Sequence, residues 1–216
     1  MLVVVQARSS STRFPKKILH KIYGKTLIEH VILKISKSKN VSNIVVATSN
    51  NKSDDSLVDI LEKNKIEYFR GGLKNVAKRL LHVAEKHKKK YFIRINADSP
   101  LIDFKLINLA IKILKNFGKD KYDLITNAFP RSFPSGQSVE IIRTSLLKKN
   151  IKKMNKLELE HVTSFFYNNY KNFSIKSFSA KKKPIKIKLS VDTKKDLHLI
   201  LQRIKKKEFF NFTILK

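Results

Sequence analysis

The sequence predicts an α/β domain with a mostly parallel central sheet and helices on both faces, and three observations lead there. Short apolar runs rich in β-branched and aromatic residues alternate with stretches whose apolar residues recur at helical spacing. The alternation is regular as far as Asn127, as stacked βαβ units require. A length of 216 residues, 42% of them hydrophobic and 14 of them Phe, matches the size and the core of one domain.

The strands are expected at Leu2 to Gln6, Asn43 to Thr48, Ile66 to Phe69, Tyr91 to Asn96 and Leu124 to Asn127. Between them, Leu27, Ile28, Val31, Ile32 and Ile35 mark one helix, and Leu57, Val58 and Leu61 a second, which opens on Asp54 and Asp55. A third is marked by Val76, Leu80, Val83 and Ala84, and a fourth by Leu106, Ile107, Ala110, Ile113 and Leu114. After residue 128 the rhythm changes to Pro130, Pro134 and Gly136. A strand is then expected from Gln137 to Ile142, a helix from Glu158 to Tyr170, strands near 174 to 178 and 186 to 191, and a last helix from Lys194. The Lys-rich Ala180 to Pro184 predicts an exposed turn. Residues 1–127 are expected to form one βαβ half and 128–216 to extend the same sheet, all within one domain.

Charge and composition narrow the function classes. The formal charge of +30 resembles a nucleic-acid footprint, but the 39 Lys outnumber 8 Arg and are spread over the whole length. The runs His87 to Lys90 and Lys181 to Lys183 lack the interleaved aromatics of a single-strand stacking platform. Solvated basic faces, with no specific nucleic-acid partner, are therefore expected, and the field would still draw in a polyanionic nucleotide. The absence of cysteine removes disulfides, thiolate metal sites and thiol nucleophiles. No apolar run approaches the ~20 residues of a membrane span, and the chain opens at once on Leu2-Val3-Val4-Val5; a cytoplasmic protein without a membrane partner is expected.

The chemistry concentrates after the first strand. Gln6 to Lys17 carries two Arg, two Lys and four consecutive hydroxyl residues at the carboxyl end of that strand, the edge where open α/β sheets bind ligands. Cations, hydroxyls and backbone N–H groups on one loop suit a polyphosphate, although the segment is neither a Walker loop nor a dinucleotide fingerprint. Asp98 follows an apolar strand where it opens into Ser99-Pro100, and Asp192 stands between an apolar run and a helix. Each is either a ligand for a hard cation or an ordinary turn or N-cap residue. Arg70, Arg79 and Arg94 stand out in a chain that prefers Lys; each has an ion-pair reading beside a substrate reading. Glu160 and His161 reach a sugar, a dimer partner or only each other.

The spacing Arg8-x-x-Ser11-Thr12-Arg13-x-Pro15-x-Lys17-x-Leu19 resembles the signature loop of the cytidylyltransferase family, which includes the CMP-sugar synthetases for 3-deoxy-octulosonate and sialic-type acids. The likeness extends through Gly24 to His30, Ile44 to Thr48, Phe69 to Gly71, Arg94 to Asp103, Glu160 to Thr163 and Ser190 to Leu197, and is nearest to the SpsF-like branch. The resemblance implies a Rossmann-like nucleotide-diphospho-sugar transferase fold, with a nucleotide-binding half over 1–127 and a sugar-binding half with a candidate homodimer surface over 128–216, and a reaction between CTP and an acidic sugar that serves surface-glycan synthesis. It implies that Arg8 and Lys17 hold the triphosphate, that Ser11 and Arg13 support the loop, that backbone near Ala7 meets the cytosine, and that Asp98 and Asp192 ligate Mg²⁺. Arg70, Arg79 and Asn96 are assigned to the nucleotide as well, and Arg94, Glu140, Glu160 and His161 to the sugar. The chain departs from the family at Ser10 and Lys16, where Gly is usual, at Ser138, where a carboxylate is usual, and at Lys74-Asn75, where two acids are usual. Two rivals share part of this pattern. The first is a glycosyltransferase or a different nucleotidyltransferase on the same fold, the glycosyltransferase favouring an Asp-x-Asp pair of which Asn96-Ala97-Asp98 keeps one half; the second, a basic module for nucleic acid or an anionic polymer, rests on charge alone.

Overall fold

The computed structural model describes residues 1–118, 120–180 and 187–205. Among them the chain runs through β1 (Leu2–Gln6), β2 (Lys21–Ile22), β3 (Lys25–Thr26), α1 (Leu27–Ser36), β4 (Asn43–Ser49), α2 (Asp55–Lys63), β5 (Glu67–Gly71), α3 (Val76–Lys86), β6 (Tyr91–Asn96) and α4 (Phe104–Asn116). The second half adds β7 (Leu124–Thr126), β8 (Glu140–Arg143), α5 (Thr144–Asn150), α6 (Lys156–Glu160), α7 (Thr163–Asn168), β9 (Ile175–Ser177) and α8 (Lys194–Lys205).

Seven strands form one sheet in the order β5-β4-β1-β6-β8-β7-β9, and β8 alone runs antiparallel to its neighbours. The parallel register places Gln6 beside Ala47 on one side and Asn96 on the other, so the carboxyl ends of β4, β1 and β6 finish together. Both faces are covered. Val3, Val5, Ile93 and Ile95 point into a core shared with α1, α2 and α4, while Leu2, Val4, Phe92 and Ile142 point into one shared with α3, α5 and α7. These strands are apolar on both faces because each face meets a helix layer.

Local chemistry fixes the entries and turns. The Thr26 hydroxyl accepts from the Glu29 amide while the Glu29 carboxylate accepts from the Thr26 amide, a capping box that starts α1. Tyr23 and Gly24, both at positive φ, join β2 to β3 in a two-residue turn of the kind hairpins favour.

The second half departs from expectation at named places. The helix expected over Glu158 to Tyr170 is two short helices, α6 and α7, broken at His161-Val162, because Val162 is drawn fully into the core while Glu160 and His161 stay on the open side. The strand expected over 137 to 142 begins only at Glu140. Ahead of it, the Asn127 side chain replaces ladder bonds by accepting from the Val139 amide and donating to the Gln137 carbonyl. Near 186 to 191 the described residues hold a single bridge, Lys188 to Ser135, instead of a strand. The expected Lys-rich turn lies, past Ala180, outside the described residues, as does residue 186. Helix α5 was not anticipated.

Candidate functional site

The loop after β1 owes its shape to two buried anchors. Phe14 packs with Ile22, Leu27, Val191 and Ile200, tying the loop to α8, and Ile18 enters the main core. With Phe14 and Ile18 facing inward, Lys17 lies between them in a 3-10 turn (Lys17–Leu19), and Lys16 ahead of it takes a left-handed φ of 54°. The Lys17 ammonium donates to Asp98 Oδ2 at 2.9 Å, to the Val191 carbonyl at 2.8 Å and to Asp192 Oδ1 at 3.2 Å.

Asp98 and Asp192 come from distant parts of the chain. The first leaves β6 as the strand ends. The second is carried in by the Ser135 to Gly136 segment: Leu189 N donates to Ser135 O at 2.9 Å, and Gly136, at φ +89°, lies so close that a Cβ would stand 2.4 Å from the Leu189 carbonyl carbon. Val191 N then donates to the Asp98 carbonyl at 2.9 Å, which joins the two carboxylate segments by backbone. The Asp196 carboxylate accepts from the backbone amides of Asp192 and Thr193, both at 2.9 Å, and fixes the turn into α8.

These groups line a cleft of about 290 Å³ at the carboxyl ends of β1 and β6. Of the residues singled out in the sequence, Ala7, Arg8, Ser11, Arg13, Lys17, Arg94, Asn96, Asp98, Glu160, His161 and Asp192 line it. Three do not. Arg70 donates to the carbonyls of Ser49 and Asn51 and pairs with Asp55 at 2.7 Å, so it braces the start of α2. Arg79 is 1% exposed and donates to the carbonyls of Gly72 and Leu73, holding the loop before its own helix; burial pushes its guanidinium down to about 10. Glu140 sits behind the cleft, bonded to Arg94 and, at 2.6 Å, to the Tyr167 hydroxyl. The sequence reading missed Gln6, which accepts from Arg94 Nε at 2.9 Å, and Lys188, which pairs with Asp192 at 2.9 Å and Asp196 at 2.7 Å. Gln6 ended a strand pattern, and Lys188 is one more Lys among 39, so neither carried a signal.

The site is internally charge-paired. Arg8 binds Glu160 at 2.6 Å, Lys17 binds both aspartates, Arg13 reaches Asp192 at 3.3 Å, and Arg94 is matched by Glu140. Burial pushes the Asp192 carboxyl up, yet the hydrogen bond from Lys188 and the charge of Lys17 outweigh it and hold the group below the ordinary Asp value. Asp98 and Asp192 present hard oxygen ligands to one point, where the Lys17 ammonium now stands as a monovalent cation. Among the described residues no group of three or more His, Cys, Asp or Glu gathers to hold a metal. The donor set therefore fits an ion that takes one or two carboxylates and fills its sphere with water and phosphate, as Mg²⁺ does.

Comparison with known proteins agrees with this architecture. Spore coat polysaccharide biosynthesis protein SpsF of Bacillus subtilis is 30% identical over 209 residues, which span 93% of this chain and 84% of that protein. A solved cytidylyltransferase of Leptospira borgpetersenii superposes with a TM-score of 0.89 at 28% identity, covering 97% of this chain and 88% of that one. The structure of CMP:2-keto-3-deoxy-manno-octonic acid synthetase complexed with CTP superposes with a TM-score of 0.72 over 95% of this chain and 99% of that one; at 16% identity this is a likeness of fold. No helix among the described residues is long and apolar enough to cross a membrane. The family model described as cytidylyltransferase matches residues 2–212, and the chain belongs to that family.

Proposed function

We propose that the protein transfers the cytidylyl group of CTP to an acidic sugar, giving a CMP-sugar and pyrophosphate for the synthesis of a surface polysaccharide. The observation that carries this reading is the convergence of Lys17, Asp98 and Asp192 in the cleft behind the Arg8 to Arg13 loop. A triphosphate needs cations that neutralise the leaving pyrophosphate, and Arg8, Arg13 and Lys17 line the cleft together. The similarity to SpsF, a spore coat polysaccharide biosynthesis protein, supports the polysaccharide context, and the likeness to the synthetase complexed with CTP supports the nucleotide.

In the reaction a sugar hydroxyl oxygen forms a bond to the α-phosphorus, the bond from that phosphorus to the bridging oxygen of the β-phosphate breaks, pyrophosphate leaves with the electron pair, and the hydroxyl proton passes to solvent. Asp98 and Asp192 would hold Mg²⁺, which when bound lowers the pKa of the attacking hydroxyl and stabilises charge on the phosphate oxygens. Lys17 and Arg8, released from their carboxylate partners, bind the β- and γ-phosphates. Arg94, held from behind by Glu140 and bonded to Gln6, forms the floor on which the sugar rests, with Glu160 and His161 at its side. Positioning and charge stabilisation supply most of the catalysis in such a transfer, so the scheme needs no covalent nucleophile. The reading places the protein in the cytoplasm, with its supply of CTP, and puts a homodimer contact on the second half, where Leu157 is 71% exposed.

The test is pyrophosphate release on mixing the protein with each of the four nucleoside triphosphates, Mg²⁺ and a panel of acidic and neutral sugars. Release is expected with CTP and an acidic sugar and is lost with EDTA. Equal release with UTP, or with neutral sugars alone, overturns the assignment.

A further inference from the structure

Outside the cleft, Asp54, in the short turn that leads into α2, carries four hydrogen bonds on its carboxylate. It is fully buried, and a buried carboxylate is costly unless hydrogen bonds replace its hydration. Asp54 has such replacements on both oxygens. Oδ2 accepts from Thr48 Oγ1 at 3.0 Å, from the Ser49 amide at 3.0 Å and from Ser49 Oγ, all at the carboxyl end of β4. Oδ1 accepts from the Ser9 amide at 2.6 Å. Ser9 closes the loop on its other side as well, because its carbonyl accepts from the amides of Ser11 and Lys16, each at 2.9 Å. A continuous chain of bonds thus runs from β4 through Asp54 and Ser9 to Lys16, the residue before Lys17.

We propose that Asp54 is the positioning residue of the nucleotide loop, holding Ser9 so that Arg8 on one side and Lys17 on the other present their cations to the same triphosphate. The inference rests on the proposed function of the cleft. Asp54 touches no substrate in this scheme; it acts through Ser9. Its charge matters as well as its shape, since a charged acceptor makes hydrogen bonds about twice as strong as a neutral one. Consistent with that role, burial pushes the Asp54 carboxyl up, and the bonds from Ser49, Ser9 and Thr48 bring it below the ordinary Asp value. An Asn at this position keeps one acceptor and turns a donating NH₂ toward groups that themselves donate.

The experiment compares wild type, Asp54→Asn, and a Thr48→Val/Ser49→Ala double variant at a temperature where circular dichroism shows each folded. In Asp54→Asn the Kd and the KM for CTP are expected to rise about tenfold or more, with a smaller change in kcat at saturating CTP. Amide hydrogen exchange at Ser9, Ser11 and Lys16 should speed up by a similar factor while that of β1 stays unchanged. The double variant keeps the bond to Ser9 and loses part of the anchor, so its Kd should rise about threefold. A folded Asp54→Asn that binds CTP within about twofold of wild type overturns the proposal; if Asp54→Asn does not fold, an unchanged Kd in the double variant does so. Should wild type itself fail to bind CTP, the proposed function fails instead, and the positioning role is then decided by the exchange of Ser9, Ser11 and Lys16, unchanged rates in the variant overturning it.

Discussion

Replacing Lys17 with Met removes an ammonium shared by Asp98 and Asp192 while keeping most of the side-chain volume. Lys17 is 13% exposed at its side chain, and its partners stand at 2.9 Å and 3.2 Å, so the two carboxylate oxygens are no farther apart than those distances combined. At a separation of about 6 Å and an effective dielectric of about 20, two bare carboxylates repel by roughly 3 kcal/mol. Lys188 and Arg13 remain on Asp192 and offset part of this, which leaves a net loss of about 2 kcal/mol. For a chain of this length that lowers the melting temperature by about 4 to 8 °C. The same loss opens the position that a divalent ion needs. Thermal unfolding with and without millimolar Mg²⁺ should therefore show a larger stabilisation by Mg²⁺ in Lys17→Met than in wild type, although pyrophosphate release falls. If Mg²⁺ moves both melting curves equally, or if Lys17→Met melts like wild type without metal, the carboxylates do not form the cation site argued above.

Other consequences can be checked with similar means. Gly136→Ala combines a φ of +89° with a Cβ 2.4 Å from the Leu189 carbonyl carbon, so the segment carrying Asp192 must shift; a loss of about 3 kcal/mol or more is expected in denaturant unfolding, together with weaker activity. The Asp196 carboxyl is pushed up by burial but drawn down to about 2 by Lys188 and the turn amides. A depressed folded pKa contributes stability that is complete above the unfolded value of 3.8 and is lost as pH falls through about 2, so Asp196→Asn should flatten the acid limb of the stability curve by about 1 kcal/mol after solvent screening. Asp98→Asn should cut pyrophosphate release by about 3 to 5 kcal/mol of transition-state stabilisation, and adding Asp192→Asn should cost far less again, as befits one shared site. Binding to duplex DNA should collapse between about 50 and 200 mM salt in a fluorescence titration; persistence at the higher salt would point to a specific nucleic-acid surface.

The first half of the fold was legible because its strands are buried on both sides and its helices carry clear stripes; β1, β4 and β6 and the helices α1 to α4 lie close to where the apolar pattern put them. Farther along, pattern and hydrogen bonding part company. Leu189 and Val191 alternate as in a strand and are both fully buried, yet among the described residues their segment makes only one bridge, since alternation reports burial and not backbone pairing. The break at His161-Val162 has no Pro or Gly to announce it; it comes from where Val162 must pack. Within the cleft, the loop cations and both aspartates could be named from residue type and position. Arg70 and Arg79 were drawn toward the nucleotide by their rarity, while the carbonyls they serve are invisible to composition. Asp54 looked like an acid favouring the start of a helix, because its decisive partner, Ser9, lies 45 residues away in sequence.

The pairing of charges within the cleft bears on how a protein of net charge +30 can be selective for one polyanion. Unpaired, the four cations lining the cleft would attract any phosphate, and the surface field would bring them many. Each instead has a carboxylate partner: Arg8 has Glu160, Lys17 has Asp98 and Asp192, Arg13 has Asp192, and Arg94 has Glu140. A bare anion entering this cleft must separate these pairs and leave carboxylates uncompensated, and a bare divalent ion must displace Lys17 and leave its ammonium without its carboxylate partners, both at a cost in a partly buried site. On the proposed reading a nucleotide and its Mg²⁺ arriving together exchange partners without leaving either sign unmatched: the aspartates gain the metal and the freed cations gain the phosphates. The surface charge then governs how fast polyanions arrive, and the internal pairs decide which of them stay.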